Sequence, residues 1–128
     1  MAVRIVQLGT PRAKGEGLRI GTVRRPPRGV PKERFEADDW YDVWYPNLSP
    51  SVATLKIGQE ATTPQRWKVF VGKYRAEMSS PDNTRTIDLL AQLSHTADFS
   101  VGCYCDDESR CHRSVLRTLL AERGAKFA

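Results

Sequence analysis

At 128 residues the chain is long enough to bury a core without disulfide staples and short enough to expect one α/β domain over residues 1–128. Its 40% hydrophobic and 27% charged residues are the composition of a globular protein, and no stretch approaches the roughly 20 apolar residues that a membrane span requires. The net charge of +5 is uneven, because residues 1–34 hold nine basic groups against Glu16 and Glu33, leaving the rest of the chain net acidic.

The opening segment MAVRIVQLGTPR has no apolar run of the kind found in signal peptides, so export is not expected. Three cysteines, two of them one residue apart, do not make a disulfide framework, and a reducing cytoplasm is the expected location.

Taken in chain order, Val3–Leu8 is a β-branched apolar run closed by Gly9-Thr10-Pro11 and predicts a strand. PRAKGEG is a polar loop, and the alternation in Leu18–Val23 predicts a second strand weakened by Gly21. RRPPRGVPKERF, with three prolines and a glycine, predicts an exposed basic loop. Trp40, Tyr41, Trp44 and Tyr45 have the spacing of one face of a short helix, packed on the core or forming a pocket wall. A short helix is expected from Pro50 to Leu55, ended by Gly58. Thr62-Thr63-Pro64 then opens a longer one that carries Trp67, Phe70, Val71, Tyr74 and Met78 on one face. After the Ser80-Pro81-Asp82-Asn83 break, a helix over Thr84–His95 places Ile87, Leu90, Ala91 and Leu93 inward. Phe99–Tyr104 reads as a strand buried on both faces of a parallel sheet. Cys111–Arg123 reads as a final helix with a Val115, Leu116, Leu119, Leu120 stripe and Gly124 as its C-terminal cap. This order predicts a compact three-layer α/β sandwich with a small, mostly parallel sheet flanked by helices.

The chemistry concentrates in CYCDDESRCHRS, residues 103–114, at the carboxyl end of the last strand, where open sheets hold their ligands. Cys103 and Cys105 point to one face of the strand and Tyr104 to the other. Asp106, Asp107, Glu108 or Ser109 caps the following helix, and Cys111, His112 and Arg113 occupy its first turn, where backbone N–H groups and the dipole favour an anion and a thiolate. Several chemistries stay open. Cys103, Cys105, Cys111 and His112 supply four ligands of the kind zinc takes, but not at the usual Cys-x₂₋₄-Cys spacing. Cys105 and Cys111 are a redox pair without a Cys-x-x-Cys. Cys105 with Arg110 gives the Cys-x₄-Arg spacing of sulfurtransferase loops, against which the carboxylates at 106–108 would repel an oxyanion. Cys103 by itself reads as a small core residue.

Four segments together resemble the YeaO-like family of bacterial and archaeal proteins, domain of unknown function 488. They are GLRIGTVRRPPRGVPKE, YPNLSPS followed by Leu55, RWKVFVGKYRAEM, and VGCYCDDESRCHRSVLRTLL, the last with the family's Cys, polar loop and Cys-His-Arg helix start. The resemblance implies a small cytosolic α/β protein, points again at Cys103, Cys111, His112 and Arg113, and implies no reaction. Two positions depart from the family pattern. Pro26 stands where a tryptophan usually precedes Pro-Arg-Gly, and Cys105 stands where a carboxylate is common.

The reading that joins these features is a site for a small anionic ligand, phosphate among them. Cys111, His112 and Cys105 are its candidate catalytic groups. Arg113, Arg110, Arg24, Arg25 and Arg28 are its anion-binding groups, the last three only if the basic loop folds over the same sheet edge. No metal or cofactor is assigned, no membrane is expected, and neither catalysis nor an oligomeric state follows from the sequence. The alternatives are a nucleic-acid-binding module using the basic N-terminal segment and a zinc-stapled structural protein.

Overall fold

The structure is a computed structural model that describes residues 1–128. Four parallel strands, β1 (Val3–Gln7), β2 (Leu18–Gly21), β3 (Val43–Trp44) and β4 (Phe99–Cys103), lie in the order β1-β4-β2-β3. β4 is paired on both sides, Val101 sitting between Ile5 and Ile20, and every one of its residues is buried. That is why its sequence is a continuous apolar run rather than an alternating one. Beyond the last helix, Phe127 bridges to Val3 as a short parallel extension of the outer edge.

Four helices follow: α1 (Val52–Gln59), α2 (Pro64–Met78), α3 (Pro81–Leu93) and α4 (His112–Glu122). Ser51, Thr63 and Ser80 cap the first three, each accepting a backbone N–H three residues on. α3 begins three residues before the expected Thr84, because Ser80-Pro81 is a cap and first-turn proline rather than a break. α1 continues through Gly58 instead of ending there. A Cβ at that position would lie 2.6 Å from the Phe70 ring, so the glycine is where α1 crosses α2 closely. No helix is long and apolar enough to cross a membrane.

The expected α/β layering is present, with unlike outer layers. Phe70, Tyr74 and Met78 of α2, Ile87, Leu90 and Ala91 of α3, and Val115, Leu116, Leu119 and Leu120 of α4 join Val3, Ile20, Phe99 and Val101 in one core on the helical face. Leu93, expected to point inward, is 38% exposed. The opposite face carries Arg19 and Ser100, paired in register, and is covered by loop. Glu16 reaches both of them, and Tyr41 lies over Gly21.

The aromatic segment at 38–50 is not the helix its spacing predicts. Asp39 takes a positive φ of 62°, and the Asp42 carboxylate is held by the Arg19 backbone N–H and both Arg12 terminal nitrogens. Val43–Trp44 then pairs with β2. The four aromatic side chains accordingly separate. Trp40 packs against Gly9 and Tyr104, Tyr41 against Phe35, Trp44 donates Nε1–H to the Val23 carbonyl, and the Tyr45 hydroxyl meets that of Thr86.

Candidate functional site

The carboxyl ends of β1, β2 and β4 open into a cleft of about 760 Å³, the size of a small-molecule site. The chain leaves β4 at Cys103 and passes through Tyr104 and Cys105. It then makes one 3-10 turn at Glu108–Arg110 before α4 starts at His112. Asp107 closes that turn by accepting from the Ser109 amide and hydroxyl, so it caps the turn and not the helix. Glu108 is held in a two-pronged pair with Arg117 at 2.6 and 2.9 Å. None of Asp106, Asp107 and Glu108 lines the cleft, which removes the repulsion that their sequence position implied.

Cys111 is the residue before α4 and makes no side-chain cap bond. Its sulfur lies 3.8 Å from His112 Nδ1. The His112 ring is oriented from the other side, where Nε2 lies 2.8 Å from the Thr22 carbonyl. A carbonyl only accepts, so Nε2 carries the proton and Nδ1 keeps its lone pair. Burial holds the His112 pKa down at about 4, leaving a neutral imidazole at neutral pH. The Tyr74 ring packs edge-on against it.

The three sulfurs form one group. Cys103 Sγ is 3.8 Å from Cys105 Sγ, and the ligating atoms of Cys103, Cys111 and His112 all lie within 4.8 Å of one another. All three thiols are free, Cys103 and Cys111 buried and Cys105 exposed. Hydrogen bonds from Cys103 and Cys111, with Arg113 nearby, hold the Cys105 pKa well below its ordinary value. The hydrogen bonds to Cys105 and Cys111, with burial, push the Cys103 thiol up. Cys111 is pulled down by its bond to Cys103, but the bond to Cys105 and burial outweigh that and bring it to about 11. Negative charge in this group therefore belongs on Cys105, the sulfur that solvent reaches.

The arginines expected at the site separate into two sets. Arg24, Arg25 and Arg28 line the cleft together with Cys103, Cys105 and His112, so the basic loop does fold over the cysteine end of the sheet. Tyr104 fastens the two segments by donating its hydroxyl to the Arg25 carbonyl at 2.8 Å. Arg24 is fixed by the carbonyls of Ser49 and Pro50, whereas the Arg25 and Arg28 side chains are exposed. Arg110 points elsewhere, donating to the Ala61 carbonyl and lying 5.8 Å over the Trp67 ring. Arg113 is only 4% exposed and donates Nη2–H to the Cys105 carbonyl, while its Nε has no partner.

Sequence reasoning missed Thr22, which orients His112, and the pairing of Trp40 with Tyr104, rings 5.8 Å apart in one cleft wall. Thr22 carries no local signal, because it meets His112 only through the β2–β4 register. The Trp40 contact was legible only as the pocket-wall alternative to a core aromatic.

A family model described as "DUF488-N3a: Active DUF488-N3 subclade" matches residues 3–124. No curated protein and no solved structure matches the chain. With almost its whole length matched, the chain belongs to the DUF488 family.

Proposed function

We propose that this DUF488 chain binds a small phosphate-bearing molecule in the cleft at the carboxyl ends of β1, β2 and β4. The observation that carries the reading is that Arg24, Arg25 and Arg28 line the same cleft as Cys103, Cys105 and His112. Arg25 and Arg28 grip the anion, since planar guanidinium forks suit phosphate oxygens and neither side chain is engaged elsewhere. Arg24, already tied to two carbonyls, shapes the loop and adds charge. Trp40 and Tyr104 offer the ligand an aromatic wall, which favours an organic phosphate over the bare ion. Arg113 lies beneath, buried, and supplies positive potential without touching the ligand. The sulfur in reach of such a ligand is Cys105; Cys111, also a candidate from the sequence, is 2% exposed and does not line the cleft. Three free thiols support work in the reducing cytoplasm.

Nucleic acid is the weaker reading, because four of the nine basic groups of the segment are engaged by partners within the chain. Arg19 pairs with Glu16, Arg12 with Asp39 and Asp42, and Arg34 with Asp38, while Arg24 serves two carbonyls. What remains is too sparse for a backbone-tracking groove.

Titration calorimetry with inorganic phosphate and with a nucleoside monophosphate tests the proposal. Arg25→Ala and Arg28→Ala are each expected to weaken binding about 5- to 20-fold, the loss of one solvent-exposed charge-assisted contact. Arg110→Ala should leave binding unchanged. Equal affinities in wild type and both cleft variants would remove the basic loop from the site.

A further inference from the structure

We infer that Cys103, Cys105, Cys111 and His112 form a tetrahedral zinc site at the floor of the cleft, tying the end of β4 to the start of α4. This rests on ligand spacing and not on the anion reading. Around a tetrahedral zinc with sulfur ligands at about 2.3 Å and a nitrogen at about 2.0 Å, neighbouring sulfurs stand ~3.8 Å apart and sulfur to nitrogen ~3.5 Å. The chain already holds Cys103 Sγ and Cys105 Sγ at 3.8 Å and Cys111 Sγ and His112 Nδ1 at 3.8 Å. The buried three, Cys103, Cys111 and His112, keep their ligating atoms within 4.8 Å of one another.

Two further features fit a metal and are not required by packing alone. His112 presents an Nδ1 lone pair toward the sulfurs while its Nε2–H is spent on the Thr22 carbonyl at 2.8 Å, the arrangement by which a backbone carbonyl fixes a ligating imidazole. The Arg113 guanidinium is buried, its Nε is unpartnered and no carboxylate pairs with it. Three thiolates and one divalent ion carry a net charge of −1, which offsets that cation. Burying a guanidinium costs less with that negative charge beside it.

The unusual sequence spacing follows from the fold. The ligands come from a strand end and a helix start brought together across one 3-10 turn, so Cys-x-Cys and Cys-His replace two knuckles. Binding displaces up to three protons, one from each thiol, and involves no redox change.

The test is zinc content of reduced protein purified without added metal, followed by replacement of the ion with Co²⁺. One zinc per chain is expected, and the cobalt form should show the visible bands of a tetrahedral ion with a thiolate-to-cobalt charge-transfer band. Cys105→Ser should keep the metal more weakly, with the charge-transfer band about a third smaller, as two thiolates replace three. Because replacing Cys103 or Cys111 would alter a buried position, a wild-type measurement stands beside the Cys105 variant. Zn²⁺ added to chelator-treated protein should protect all three thiols from a disulfide reagent. A chain that carries no zinc, gives no charge-transfer band with Co²⁺ and shows no thiol protection overturns the inference. So does bound metal without that band, which would sit on other groups. A metal-free chain that still binds phosphate refutes this inference alone; a zinc-loaded chain that ignores phosphate refutes the anion reading alone.

Discussion

Arg19 is almost wholly buried, yet every part of its guanidinium is used. Nε and Nη2 meet the two Glu16 oxygens at 2.7 and 3.0 Å, and Nη1 donates to the carbonyls of Thr10 and Asp39. Ser100 from β4 adds a hydrogen bond to the same carboxylate. Burial alone would raise the Glu16 pKa, but the bonds from Arg19 and Ser100 and the Ala13 backbone N–H prevail and bring it to about 2, against an ordinary 4.5. A depressed carboxylate pKa stabilises the fold above its unfolded value and stops doing so once it is protonated. The Glu16 contribution should thus be complete above about pH 4.5 and fade as pH falls toward about 2. Urea midpoints of the wild type across this range should fall, and Glu16→Gln should be flatter there. At neutral pH the same variant should lose about 3 kcal/mol, since it leaves the buried Arg19 cation without its counter-charge. Equal acid sensitivity in both chains would show that the pair is not the source.

Among the elements, glycines give a test of packing with opposite signs. Gly58 and Gly72 both lie inside helices, where alanine normally gains up to about 1 kcal/mol. A Cβ at Gly72 meets nothing within 4 Å, but one at Gly58 would stand 2.6 Å from the Phe70 ring, itself stacked between Trp67 and Tyr74. Thermal unfolding should therefore show Gly72→Ala more stable than wild type and Gly58→Ala less stable by about 1–3 kcal/mol through overpacking. Two stabilised variants would mean that α1 and α2 cross less closely than described. What could be read from the sequence at this scale was whatever local chemistry decides. Val3–Gln7 and Phe99–Cys103 form strands and Thr63-Pro64 opens a helix as expected, while the Gly124 stop holds with φ 79°. The aromatic run at 40–45 was misread because a one-in-four spacing of aromatics cannot register that Asp42 is tied to Arg12 and Arg19. Those long-range bonds hold the segment extended, and local periodicity is silent about them.

At the scale of the whole molecule, three chain segments distant in sequence converge because every strand runs the same way. Parallel pairing puts the ends of β1, β2 and β4 on one edge, bringing the basic loop after β2 beside the cysteine loop after β4. The motif Cys-His-Arg was legible, and so was its place at a strand end. Its neighbours were not, because Thr22, Arg25 and Trp40 reach it only through sheet order and the cover on the loop face. These two loops together form the proposed ligand site. Its most direct measurement is a titration of ¹⁵N-labelled protein with inorganic phosphate, following backbone amides by NMR. The amides of Arg25, Arg28, Tyr104 and Cys105 are expected to shift together along one binding curve. Shifts confined to one loop, or following different affinities in the two loops, would contradict a shared site.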